Sequence, residues 1–283
     1  MHISKGHVTV AALVFACLLP HAATAAGPNN MDAQMDTKLQ AVLAGDHRSD
    51  ANRARDAYRN PHGTLKFFGI SEGMTVMEIW PSSGWYTEVL APLMKDSGKY
   101  IAAHWDPESP SKFVQNSVKR FTEKMNNNPD VYSQVEIVAL MPQTGKSEPV
   151  PPGSVDMVLT FRNVHNWMGQ NYQEDMFNVF QQSLRPGGYL AIVEHRGDSS
   201  VPQDPKAKSG YVNEEHTVQL AEAAGFELLA SSDVNNNPRD TKDYEKGVWT
   251  LPPTYRNGYL GKKKYGKIGE SDRFTLLFVK PSS

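Results

Sequence analysis

The amino-acid sequence predicts an α/β protein built on a doubly wound, mostly parallel sheet with helices on both faces. From residue 75 to residue 193, short apolar runs alternate with amphipathic stretches, the β-α-β-α order of a parallel sheet with crossover helices. Two further apolar runs, 226–231 and 274–279, close the chain with no long helical pattern between them, so they can pair antiparallel. The length, 283 residues, and an ordinary apolar share allow one large core.

Taken in order, residues 27–37 are polar and Met-rich and read as a mobile start to the mature protein. Leu39, Val42 and Leu43 share a helical face, and Ser49 can cap a second helix running to about residue 59. Pro61 breaks the chain there, and 64–68 reads as a short helix stopped by Gly69. The first strand is 75–80; a helix over 85–94, bent or ended by Pro92, follows it. Strand 99–104 leads to a helix started by Ser109 and Pro110, with Phe113, Val114, Val118, Phe121 and Met125 on its apolar face. Strands 135–140 and 155–161 flank a turn-rich link at 149–153. Tyr172, Met176, Phe177, Val179, Phe180 and Leu184 mark the next helix, after which Pro186, Gly187 and Gly188 turn the chain into strand 189–193. Asn213 caps a helix that Gly225 ends. Residues 235–272, rich in Asn, Lys, Gly and Tyr, read as a long surface insertion, and a loop of that length is usually functional or mobile.

The N-terminus has the layout of an export signal. Lys5 precedes an apolar stretch over 8–19, and Ala22, Ala23, Thr24, Ala25 and Ala26 offer a cleavage site ending at Ala25. The apolar stretch is too short to span a bilayer; the competing reading is a helix retained in the fold. The expectation is a signal peptide over 1–25, a helical extension over 26–63, the main domain over 64–283, and a periplasmic mature protein. Its only cysteine, Cys17, would leave with the leader, which suits an oxidising compartment and excludes a disulfide framework or a thiolate metal site. A formal net charge of −2 gives no footprint for nucleic acid, and Lys262, Lys263 and Lys264 read as a solvated loop.

In an open parallel sheet, ligands bind beyond the carboxyl ends of the strands. Four segments lie there. Glu78, Trp80, Pro81, Ser82, Ser83, Gly84 and Tyr86 form a strand end, a tight turn and a helix start, where small residues admit a ligand close to backbone N–H groups; an ordinary β-α turn is the alternative. Asp106, after the second strand, can accept from ribose hydroxyls or simply cap a helix. Arg162, Asn163, His165, Asn166 and Trp167 follow the fourth strand and are too polar and bulky for a plain link, unless they are surface side chains. Glu194, His195 and Arg196 follow the fifth; His195 is a candidate base, or the three make a structural pair. His104, His165 and His195 share this rim, but without metal-ligand spacing, so no metal is expected.

From about Arg53 to Pro281 the chain resembles class I S-adenosylmethionine-dependent methyltransferases, and is similar to an exported bacterial group of predicted methyltransferases. The resemblance rests on 54–59, 75–92, 161–167 and above all on Leu184-Arg185-Pro186-Gly187-Gly188-Tyr189 before an apolar strand. It implies a Rossmann-like, seven-stranded, mostly parallel sheet with an antiparallel last strand, and S-adenosylmethionine as cofactor. It implies that Glu78 to Gly84 wrap the methionine part, Asp106 holds the ribose, Leu140 and Met141 flank the adenine, and Arg162 to His165 sit beside the sulfonium and face the acceptor. The chain departs from the family's glycine-rich first motif: Trp80 and Ser82 stand at the first two glycine positions, and only Gly84 remains.

Three functional readings follow. The first is methyl transfer to a small-molecule or envelope acceptor, with His165 or His195 as base and Trp80, Trp85, Tyr86 and Trp167 as an aromatic wall that favours a sulfonium. The second is a catalytically inactive protein of this fold that binds another small ligand in the periplasm. Trp80 discriminates the two: its ring in the first-turn cleft closes the cofactor site, whereas its ring packed into the sheet leaves the site open. The third is a metal-dependent enzyme built on the rim histidines.

Overall fold

A computed structural model describes residues 31–282. The expected leader, its cleavage site at Ala25 and Cys17 lie outside the described residues. Four helices, α1 (Ala33–Ala44), α2 (Asp50–Arg53), α3 (Asp56–Arg59) and α4 (Pro61–Phe68), precede β1 (Thr75–Ile79). Then come α5 (Thr87–Met94), β2 (Lys99–His104), α6 (Lys112–Asn126), α7 (Pro129–Tyr132), β3 (Val135–Ala139), β4 (Val155–Phe161), α8 (Val164–Gln170) and α9 (Gln173–Ser183). The chain closes with β5 (Leu184–His195), α10 (Glu214–Ala223), β6 (Glu227–Ser232), α11 (Tyr259–Gly266) and β7 (Arg273–Val279).

The strands form one seven-stranded sheet in the order β3-β2-β1-β4-β5-β7-β6. β7 runs antiparallel to both its neighbours; the other ladders are parallel. This is the mostly parallel architecture expected from the alternating pattern. Met77, Ile79, Phe177, Phe180, Leu190 and Phe278 fill the core on one side of the sheet. Val89, Leu90 and Leu277 fill the other, together with Met35 and Leu39 of α1 and Leu65 and Phe68 of α4.

Several boundaries differ from the sequence reading, for local reasons. Residues 31–37, expected as a mobile start, are packed: Asp32 accepts from the N–H of Met35 at 2.8 Å and caps α1, and Met31 and Met35 are buried. The helix expected from Ser49 to about residue 59 splits into α2 and α3, and Pro61 opens α4, at a position where no backbone N–H is needed. Pro92 does not end α5. The Glu88 carbonyl it cannot serve lies 2.8 Å from His47 Nε2. Helix α6 is capped by Ser111 rather than Ser109, and Phe113 is 67 % exposed instead of belonging to the apolar face. The turn expected at 186–188 is part of β5, which pairs with β4 from Leu184 onward through a register shift.

The segment 235–272, expected as a long surface insertion, is held in place by specific contacts. Asn237 Nδ2 donates to the carbonyls of Ile268 and Glu270 at 2.9 and 2.7 Å, and the Tyr211 hydroxyl donates to Asp240 at 2.8 Å. Val248 and Leu251 are buried. The segment folds back over the carboxyl ends of the strands.

Candidate functional site

Strand order reverses between β1 and β4, where Ile79 pairs with Thr160, so the loops leaving these strands diverge and open a crevice. A cavity of ≈ 330 Å³ lies there. The loop after β1 supplies Trp80, Pro81, Ser82 and Ser83; the end of β4 and the start of α8 supply Phe161, Arg162, Asn163 and His165; β5 supplies His195. Two other parts of the chain complete it. Arg55 and Arg59 come from the N-terminal helices, and Trp249, Glu270, Ser271 and Arg273 from the segment before β7 and its first residue.

The β1 loop keeps the backbone of a glycine-rich turn without the first two of its glycines. Trp80, Ser82 and Gly84 have φ of 49°, 56° and 77°, all in the left-handed region that favours glycine. The Trp80 indole is 6 % exposed and packs into the core, edge-on to Trp105 and Trp167 with ring centroids at 5.5 and 6.1 Å. Its Nε1 donates to the Leu140 carbonyl at 2.8 Å. The ring therefore packs against the sheet's upper edge, beside Leu140, which the resemblance places next to adenine. Beneath the loop, the Glu78 carboxyl accepts from Thr87 at 3.0 Å and from Tyr100, and burial pushes its pKa up to about 7.

A base is already oriented at the other side of the cavity. His165 Nδ1 donates to Glu194 Oε1 at 3.1 Å, and Nε2 has no hydrogen-bond partner among the described residues. Glu194 is fully buried and also accepts the backbone N–H groups of His165 and His195 at 3.2 and 2.7 Å. His195 lies 5.3 Å from His165, ring to ring, with Nδ1 2.5 Å from the Ser271 hydroxyl. Burial first, then His165 and the nearby guanidiniums, hold His195 well below the usual imidazole range, so it is neutral at neutral pH. His165, Glu194 and His195 could offer three metal-ligand atoms within 4.8 Å of one another. Both Glu194 oxygens are already engaged by N–H groups, and the surrounding arginines oppose a dication.

Four guanidiniums face one another across the remaining wall. Arg55 Nε and Arg59 Nε donate to Glu270 at 2.6 and 3.3 Å, and Arg273 donates to the same carboxylate. This holds the Glu270 carboxyl well below its ordinary range despite its burial. Arg162, on left-handed backbone with φ 62°, makes no side-chain hydrogen bond among the described residues; removal from water and the neighbouring Arg273 pull it down to about 10.

The remaining sequence candidates do other work. Tyr86 stacks on Phe161, with ring centroids 3.5 Å apart, and lines the cavity. Asn163 Nδ2 donates to the Ile79 carbonyl at 3.0 Å and ties the ends of β1 and β4 together. Asp106, Gly84, Leu140 and Met141 are not among the cavity-lining residues. The Asp106 carboxylate accepts from Thr144 at 2.7 Å and from the N–H of Glu108 at 2.9 Å, and Met141 N–H is taken by the Lys146 carbonyl. His104 is separate from the other histidines: it accepts the Trp105 N–H at Nδ1 and donates from Nε2 to the Ser82 carbonyl. Arg59, Glu270, Ser271 and Arg273 were not singled out from the sequence. The available signals were the spacing of Arg55 and Arg59, four apart on one helical face, and the charged run just before the last apolar strand.

No protein-family model matches the chain, and no curated protein matches it in sequence. Solved structures do match. A SAM-dependent methyltransferase from Aquifex aeolicus is 17% identical, with a TM-score of 0.54 over 87% of this chain and 98% of that one. The 4+2 cyclase SpnF is 16% identical, with a TM-score of 0.56 over 91% and 98%. Phosphoethanolamine N-methyltransferase 2 from Haemonchus contortus, solved with S-adenosyl-L-methionine, is 16% identical, with a TM-score of 0.54 over 87% of this chain and 57% of that one. The chain has the class I S-adenosylmethionine-dependent methyltransferase fold.

Proposed function

We propose that this chain is a methyltransferase that takes S-adenosylmethionine and modifies a small molecule bound in the β1–β4 cavity. The observation that carries the reading is the pairing of His165 with Glu194 opposite a β1 loop whose backbone retains the left-handed turns of a glycine-rich cradle. The residues fit the methionine end of the cofactor: Ser82 and Ser83 are small and border the cavity. The Trp80 indole lies against Leu140, on the side that the resemblance gives to adenine. When bound, the cofactor supplies an electrophilic methyl group on a sulfonium. The chain's own residues would do the rest. His165 Nε2 would take the proton of a hydroxyl or amine acceptor, and Glu194 would hold the ring's tautomer and stabilise the imidazolium. Tyr86, Phe161 and Trp249 would exclude water and offer π faces to a cation.

In a second reading, the Trp80 ring beside Leu140 closes the adenine site and the cavity serves another small ligand. The occurrence of this fold in a cyclase agrees that fold alone does not fix reaction. Calorimetric titration of S-adenosylmethionine and S-adenosylhomocysteine into wild type and Trp80→Gly separates the two. Saturable binding to wild type supports the transferase. Binding only to Trp80→Gly supports the closed site, and no binding to either protein at millimolar ligand removes the cofactor altogether.

No helix of the described residues is long and apolar enough to cross a membrane. We also place the mature protein in the periplasm, on the order of charge, apolar stretch and small residues over 1–25. N-terminal sequencing of protein from that fraction should start at Ala26; a start at Met1 would refute export by cleavage.

A further inference from the structure

We propose that the cavity binds a small oxyanionic ligand, a carboxylate or a phosphate, through Arg162. Under the methyltransferase reading this ligand is the acceptor. The inference rests on that reading only for the word acceptor.

The cavity wall holds four guanidiniums, from Arg55, Arg59, Arg162 and Arg273, and three of them converge on the one carboxylate of Glu270. Arg59, Arg273 and Glu270 are buried, so solvent cannot supply the missing negative charge cheaply. The other acids nearby do not balance the set. Glu78 is turned to Thr87 and Tyr100, and Glu194 to His165 and two backbone N–H groups.

Three further features mark the cluster as short of acceptors. Arg162 donates to no side chain or carbonyl among the described residues, although it lines the cavity. Arg273 Nε is buried with no partner. Arg162 also sits on a left-handed backbone, a conformation that costs free energy in a residue with a side chain, as functional residues often do. A guanidinium held without an acceptor beside three others is self-repelling. An oxyanion in the cavity would neutralise part of the charge and accept from the Arg162 fork. His165 lines the same cavity as the arginines, so a ligand held by Arg162 would share an enclosure with the candidate base.

The probes are inorganic phosphate and benzoate, titrated calorimetrically into the purified protein without cofactor at constant ionic strength. Whichever probe binds more tightly identifies the oxyanion class. Arg162→Gln should weaken that probe about tenfold or more, and Arg162→Lys should recover part of the loss. Without ligand, Arg162→Gln should unfold at a higher temperature than wild type, because it relieves repulsion; a purely structural arginine would give a lower one. Absence of binding by either probe at millimolar concentration, or equal binding to wild type and Arg162→Gln, overturns the proposal. Displacement of the bound probe by S-adenosylhomocysteine would assign the arginines to the cofactor's own carboxylate and overturn the acceptor assignment. Loss of cofactor binding with anion binding intact would sink the methyltransferase reading and leave the anion site standing.

Discussion

At Trp80 two costs compete, and the side chain decides the outcome. Left-handed backbone costs a residue with a Cβ roughly 1–2 kcal/mol. Burying an indole against Trp105, Trp167 and Tyr172, with its N–H satisfied by Leu140, is worth more, since truncating such a ring costs about 3–5 kcal/mol. The strained turn is therefore held down by the ring that fills the space beside it. Below it, Glu78 gives a pH signature with a definite sign. Its folded-state pKa is raised to about 7 from an ordinary value of 4.5, because burial disfavours the carboxylate. A raised acid contributes stability below its unfolded value and loses it as pH rises toward the folded value. The loss amounts to about 3 kcal/mol across that window. Glu78→Gln stays neutral throughout, so its stability relative to wild type should rise between about pH 5 and about pH 8. Urea unfolding at both pH values measures this; a constant difference between the two proteins would show that Glu78 is not the titrating group.

The segment before β7 shows how an element with little regular structure can still be fixed. Asn237 clamps the turn that carries Glu270 and Ser271, using one amide for two carbonyls and its own N–H for Asp272. Asn237→Ala should cost about 1–3 kcal/mol in that turn, because two carbonyls lose their donor. Hydrogen exchange should accelerate at residues 268–272 while β1 to β5 stay protected, and unchanged exchange at 268–272 would mean that the clamp is redundant. The same segment marks the limit of what the sequence made legible. Strands 99–104 and 155–161 could be read to the residue, since each is an apolar run bounded by turn signals. The rim formed by the β1, β4 and β5 loops could be read as well, because ligand sites in such sheets follow the strand ends. The arginine wall could not. Arg55 meets Glu270 across 215 residues of chain, and periodicity reports only neighbours on one element. Pairing at that distance depends on the segment folding back over the rim, and its composition, which suggested a surface insertion, carries no sign of where it folds.

On the scale of the molecule, the N-terminal helices are part of the core as well as of the site. Met35, Leu39, Leu65 and Phe68 have no exposed surface, and they pack in one cluster with Val89, Leu90 and Leu93 of α5. Arg59 reaches over Trp85 at 4.6 Å, and the Trp85 indole donates to the Asn52 carbonyl at 3.1 Å, so the extension and the loop before α5 are joined by polar contacts too. Each of those four apolar side chains is worth roughly 1.5–3 kcal/mol on burial. Together that matches the whole stability of a typical domain, about 5–15 kcal/mol. A fragment beginning at Ile70 would lose them all and expose the face of α5 they cover. It should therefore lack the cooperative unfolding transition of the full chain and should bind a hydrophobic dye that the full chain excludes. Calorimetry and dye fluorescence on the fragment check this. A single sharp transition near that of the full chain would show instead that the sheet and its later helices fold alone, and that the four N-terminal helices serve only to bring Arg55 and Arg59 to the cavity.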